Sequence, residues 1–183
     1  IRIANGGVTI ENSAIRFSND SGISIVSNAY GEFIIVDNTL SYNAKGIHTE
    51  TFNDVLITNN TINNNQQVGI YCKRSPDIIN NKIFNNGSYG IQCDQNSTPS
   101  IIGNSVYGHT TSGIYGDRAS PVIEFNIIFE NSRGCWLAGG NNVTIANNTI
   151  FENSRWGITA SGSLNITGNI ISGNTDVGIY LSS

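Results

Sequence analysis

Apolar residues recur along this chain at fixed places in a unit of 21 to 25 residues. The stretch 57–72, Ile-Thr-Asn-Asn-Thr-Ile-Asn-Asn-Asn-Gln-Gln-Val-Gly-Ile-Tyr-Cys, shows most of the unit. An Ile stands first in each copy, at Ile10, Ile35, Ile57, Ile78, Ile101, Ile123, Ile145 and Ile166. Three residues on come Ser13, Asn38, Asn60, Asn81, Asn104, Asn126, Asn148 and Asn169, and two further on Ile15, Leu40, Ile62, Ile83, Val106, Ile128, Ile150 and Ile171. A Gly with an apolar successor follows, at Gly22, Gly46, Gly69, Gly90, Gly113, Gly134, Gly157 and Gly178. Inside a copy the apolar positions alternate, as in Val55, Ile57, then Ile62, then Ile70 and Cys72, which is the period of strands and not of helices. No single copy can bury such residues, whereas stacked copies can, so the spacing predicts a solenoid. Three short strands per copy, stacked at about 4.8 Å per coil, predict an all-β fold. The expected form is a right-handed parallel β-helix of about eight coils with three parallel sheets, a rod of roughly 38 Å.

The polar columns have a turn chemistry of their own. The first Asn column, and a second five residues later (Asn43, Asn65, Asn86, Asn131, Asn153 and Asn174, with Ser18 and His109 as exceptions), fall where the chain must turn. Asn tolerates left-handed turn geometry, and stacked amides can bond along the column. The repeated Gly is read as meeting a need for special backbone conformation. From the first Asn to the Gly the length is 8 or 9 residues, but from the Gly to the next Asn it runs from 12 to 16. Variable loops on a rigid scaffold are where function is usually placed, so the segment after each Gly is the place to look.

Composition narrows the classes. The 183 residues carry a net charge of -4 with only 12% charged side chains, and polarity comes mainly from Asn, Ser, Thr and Gly. Nine Lys and Arg among thirteen acids make no basic stripe for nucleic acid. No apolar run approaches the roughly 20 residues of a membrane span. The chain reads as one β-helix domain, 1–183, cut from a longer molecule. Both ends fall in the Gly-Ile strand, so flanking domains, caps or end-to-end self-association are the expected partners.

Ile-Thr-Asn-Asn-Thr-Ile at 57–62 and Gly-Ile-Tyr-Leu-Ser-Ser at 178–183 resemble the PbH1 repeats of the pectate-lyase-like right-handed β-helix superfamily, in their NosD and carbohydrate-binding, sugar-hydrolase (CASH) forms. The resemblance implies the fold, an exported location (extracellular, cell-surface or periplasmic) and dealings with polysaccharide. It transfers no catalytic residue, because neither clustered Asp motifs nor an Asp-Pro-His-Glu run stands in this chain.

The densest chemistry follows the Gly column. Glu50, Lys73, Asp94 and Asp117 lie four residues past successive glycines, with Arg74 and Arg118 next door. His48, Tyr71, Gln92, Tyr115 and Trp136 stand in the outward column two residues before that row. Two readings are open. Carboxylates stacked about 5 Å apart, with Lys73 or Arg74 as a base, would suit a polysaccharide lyase, epimerase or glycoside hydrolase. Alternatively Glu50 pairs with Lys73, and Asp94 with Arg74 or Arg118, and the rings beside them bind sugar without catalysis or simply face solvent. A second patch repeats Phe-Glu-Asn-Ser-Arg at 129–133 and 151–155, followed by Trp156, with Tyr89 further back in its column. It reads as a cross-coil ladder of Glu130, Glu152, Arg133 and Arg155, or as a binding strip.

Cys72 and Cys93 share an inward column in adjacent coils. Free buried thiols are the leading reading and a bridge between the two the alternative, with Cys135 off the column two coils away. No cofactor is called for; calcium is the one cation that Glu50, Asp94 and Asp117 admit. The reading that best fits the whole is a rigid, exported surface or assembly element able to bind polysaccharide, with the enzyme as its alternative.

Overall fold

The computed structural model describes residues 1–182, all of them in strands or connections, without helix. The chain winds through eight coils, and every strand pair is parallel. Three columns of strands result. The Gly-Ile face holds Val68–Cys72 and its equivalents, with Ile47, Ile70, Ile91 and Ile114 as register partners. The second face holds Val55–Thr58, Asp77–Ile79 and Ser100–Ile102, and the third Thr61–Asn63, Lys82–Phe84 and Ser105–Tyr107. The third is an eight-stranded sheet of its own. The first two merge into one fifteen-stranded sheet, because the strands Arg133–Ala146 and Trp156–Thr167 run unbroken round the corner between them. In earlier coils irregular connections containing Pro76, Pro99 or Pro121 interrupt that corner.

The core is the stacked apolar columns themselves. Ile57, Ile78, Ile101, Ile123 and Ile145 are fully buried, as are Ile62, Ile83, Val106, Ile128 and Ile150 from the third face and Ile70, Ile91 and Ile114 from the first. Burying each such side chain contributes about 1.5–3 kcal/mol, and equivalent residues lie over one another from coil to coil.

The turn chemistry differs from the expectation in two respects. Left-handed geometry falls one residue before each Asn of the ladders and not on it. Asn59, Asn64, Asn80 and Asn85 have φ of 56, 51, 55 and 53°, and in other coils Gly103, Gly108, Phe125, Glu130 and Glu152 take the same place. The repeated Gly has no positive φ. It is required by space: a Cβ on Gly69 would sit 2.6 Å from the carbonyl oxygen of Gly90 and 2.8 Å from a methyl of Ile83. The next coil's backbone therefore passes where a side chain would be.

The Asn themselves build two hydrogen-bonded ladders. Asn60 Nδ2 donates to Asn81 Oδ1 at 3.0 Å, and Asn81, Asn104, Asn126 and Asn148 continue the chain of bonds to Asn169 at 3.0–3.1 Å. Each amide also donates to main-chain carbonyls, as Asn104 does to Ile78 at 2.8 Å. In the second ladder His109 replaces one Asn. Its Nδ1 lies 2.8 Å from Asn131 Oδ1, so that nitrogen carries the proton, and Nε2 accepts from Asn86 Nδ2 at 3.2 Å. The neutral ring thus copies the donor and acceptor order of the amide it replaces.

Candidate functional site

On the Gly-Ile face the strands Lys45–Thr49, Val68–Cys72 and Tyr89–Cys93 place His48, Tyr71 and Gln92 in one outward row. Beyond the strand ends come Glu50, Lys73 and Asp94. Here the sequence row becomes a cluster. Lys73 Nζ lies 2.7 Å from Glu50 Oε1, and His48 Nε2 is 3.0 Å from the same oxygen without hydrogen-bonding alignment. The Tyr71 hydroxyl donates to Asp94 Oδ2 at 2.9 Å, and the rings of His48 and Tyr71 sit 5.0 Å apart, tilted by 40°. Burial lowers the His48 pKa, the Lys73 hydrogen bond lowers that of Glu50, and burial together with Asp94 pushes Tyr71 up to about 12. The cluster therefore sets a neutral imidazole beside a phenol that keeps its proton.

The remaining row members go elsewhere. Asp117 pairs with its neighbour Arg118 at 3.3 Å. Arg74 does not reach for Asp94 as expected; its guanidinium lies 3.7 Å from the ring centre of the exposed Phe52, a cation–π contact that covers apolar surface. Asp94 is satisfied by Tyr71 and by the amide of Gln95 at 2.9 Å. Gln92 stands between Tyr71 and Tyr115 in register.

Further along the same face the rings join into a row. Tyr89 stacks on Tyr115 at 4.7 Å, Tyr115 meets Trp136 at 4.9 Å with a tilt of 59°, and Trp156 stacks on Tyr180 at 5.7 Å. Between the two tryptophans lies Arg133, its guanidinium carbon 4.4 Å from the Trp136 ring and 4.8 Å from that of Trp156. Arg155 sits 4.4 Å from Trp156 and 3.5 Å from Asp176. The cross-coil ladder expected of Glu130, Glu152, Arg133 and Arg155 is thus replaced by arginine on tryptophan. Glu130 and Glu152 instead hold left-handed turn positions at the far side of the repeat, beside His109 and a depression of about 410 Å³. A second aromatic ladder, Phe84, Tyr107, Phe129 and Phe151, stacks at 4.6–5.1 Å on the third face. Its signal in the sequence is an aromatic residue directly after the third-face apolar residue, Ile83, Val106, Ile128 or Ile150, in four successive coils.

Cys72 and Cys93 are register partners, as a bridge would need, yet all three cysteines are free and fully buried. Hydrogen bonding to the Cys72 thiol and burial hold Cys93 well above its ordinary pKa, and burial pushes Cys135 up to about 12. Among the described residues no group of three or more His, Cys, Asp or Glu side chains converges as metal ligands would.

Comparison with known proteins follows the fold. No curated protein sequence matches the chain. Among solved structures, the periplasmic alginate epimerase AlgG superposes with a TM-score of 0.80 at 20% identity, covering 91% of this chain and 47% of that one. The A-module of an Azotobacter vinelandii mannuronan C-5 epimerase superposes with a TM-score of 0.71 at 16% identity, covering 98% and 65%. The chain therefore spans about half the length of the first of these, and identities this low speak for the fold alone. The family described as right-handed β-helix region matches residues 1–120 and 78–183, together the whole length, and the chain belongs to that family.

Proposed function

We propose that this chain is a polysaccharide-binding length of an exported β-helix protein, with the Gly-Ile face as the binding surface. The observation that carries the reading is the row of rings from His48 and Tyr71 through Tyr89, Tyr115 and Trp136 to Trp156 and Tyr180, set on a rigid sheet at coil spacing. Rings stacked on one another turn their edges and polar tips outward. Amphipathic rings, apolar with a polar tip, suit sugars. The location of one structural neighbour in the periplasm is consistent with export.

Binding is tested on a panel of immobilised polysaccharides with the wild type and with Tyr115→Ala and Trp136→Ala. Loss of a ring from the row is expected to weaken binding about tenfold while the melting temperature stays within a few degrees. Equal binding by all three proteins, or none to any polymer, would sink the proposal.

A second reading is proton transfer on a uronate, as an epimerase performs. It is favoured by the neutral His48 beside the protonated Tyr71, a base and an acid side by side, with Glu50, Lys73 and Asp94 orienting them. In this reading His48 would take the C-5 proton and Tyr71 would return one, leaving the protein unchanged after proton exchange with water. Both structural neighbours above are epimerases by name. Incubation with mannuronan in heavy water distinguishes it: deuterium at C-5, lost in Tyr71→Phe and His48→Ala, is the enzyme's signature.

A further inference from the structure

Resting on the binding reading just given, we propose that Arg133 and Arg155, placed about Trp156, form a subsite for an anionic group carried by a sugar residue, a carboxylate or a sulfate ester. Four observations on the Gly-Ile face carry this.

The first is that Arg133 has no acid. None of the four ion pairs among the described residues includes it, and its Nε is buried without a hydrogen-bond partner. A guanidinium cannot shed its proton to relieve that situation, so its charge stays on the face whatever surrounds it. The second is its packing. The guanidinium carbon lies 4.4 Å from the Trp136 ring and 4.8 Å from that of Trp156. The Nε side is buried, so the terminal Nη groups supply the in-plane N–H donors that can meet the oxygens of a carboxylate or sulfate.

The third is a second cation. Arg155 lies 4.4 Å from Trp156 and is held only by a long 3.5 Å contact to the exposed Asp176. Burial, and after it the nearness of Arg155, lowers the Arg133 pKa. Two guanidinium groups gathered on one ring, in a chain whose net charge is -4, make a local surplus of positive charge. An anion entering between them would relieve their repulsion. The fourth is what stands beside the pair: Trp156 and Tyr180, stacked at 5.7 Å, supply amphipathic rings for the sugar that bears the anion.

A filler role would leave different traces. If Arg133 only continued the stack of rings, its charge would not select ligands, and a lysine there would cost stability without changing which polymers bind.

The experiment measures affinity for three probes of similar length, a polyuronate, a sulfated polysaccharide and a neutral glucan, at 20 and 300 mM NaCl. The proteins are wild type, Arg133→Gln, Arg133→Lys and Arg155→Gln, with thermal melting of each as control. The expected result is that wild type prefers an anionic probe over the neutral one by tenfold or more, and that the preference shrinks with salt. Arg133→Gln and Arg155→Gln should each lose about tenfold toward the anionic probe alone. Arg133→Lys should fall between, because it keeps the charge without the fork. The two anionic arms separate carboxylate from sulfate as the recognised group. Equal affinity for neutral and anionic probes, or an unchanged preference in both Arg155→Gln and Arg133→Lys, would overturn the subsite while leaving polysaccharide binding standing. Absence of binding to every probe would overturn both. Arg155 is exposed, so Arg155→Gln keeps the test open even where Arg133→Gln unfolds.

Discussion

Two single residues test how the coils are held. Phe125 has a φ of 57°, the left-handed place that Asn59 and Asn147 fill in other coils, and its side chain is 60% exposed. A bulky residue held there is strained, with little packing to offset it. Phe125→Asn is therefore expected to stabilise the protein by about 0.5–1 kcal/mol, read as a raised denaturation midpoint. His109 works the other way. Burial lowers its pKa to about 4, and its two nitrogens are committed to Asn86 and Asn131. A proton on Nε2 would face the Nδ2 donor of Asn86. Since the folded pKa lies below the unfolded value of 6.5, the stability tied to the neutral ring is complete above pH 6.5. It is lost as the pH falls toward 4, in total on the order of 3 kcal/mol. His109→Asn should restore a regular rung and remove that acid-sensitive component from denaturation curves recorded between pH 7 and 4; an unchanged pH profile would contradict the lowered pKa of His109.

At the scale of the element, the ladders and the Gly column decide which strands can stack. Asn104 is 1% exposed and bonds at once to Asn81, Asn126 and the carbonyl oxygen of Ile78. Asn104→Ala leaves several buried donors and acceptors unpaired, at about 1–3 kcal/mol each, so a loss of 3 kcal/mol or more is expected in chemical denaturation. Asn169, at the last rung and only partly buried, should cost less when replaced by Ala, about 1 kcal/mol. Comparable losses at both positions would mean that the ladder's internal rungs carry no special weight. Gly90→Ala puts a methyl 2.6 Å from the carbonyl oxygen of Gly113 and from a methyl of Val106, and since backbone cannot yield there the coils must separate. The same element explains the sheet merger: where Gly139 at φ 67° and Gly162 at φ 100° turn the corner, the strand continues and two faces become one.

For the whole molecule, the continuous core predicts the behaviour of its thiols. Cys72, Cys93 and Cys135 lie fully buried in three coils, with the thiols of Cys93 and Cys135 held well above their ordinary pKa. Native protein should give no reaction with a thiol reagent at pH 8, and denatured protein three equivalents. One or two fast equivalents would show that individual coils open without global unfolding. The inward columns are filled and the ladders saturated, so the outward rows are what the rod offers to solvent, and on the Gly-Ile face they bring cations and rings together.

The sequence by itself determined the coil count, the parallel strands and the identity of the core. Those depend on inward columns, where burial repeats the same demand at Ile57, Ile78 and Ile101 in coil after coil. The columns of Asn were legible as turns, but their left-handed residue was misplaced by one, because the same Asn-Asn pairs supply both the strained residue and the bonded amide. Only the tertiary structure decided how the outward residues pair. Nothing buried constrains them, and long side chains reach diagonally between columns. Trp156 shares a column with Arg133 but stacks on Tyr180 of another, and Arg74 leaves the acidic row for Phe52. Rings and guanidinium groups find one another at 3.7 to 5.7 Å, and that choice is made by space and solvation, which a linear pattern does not encode.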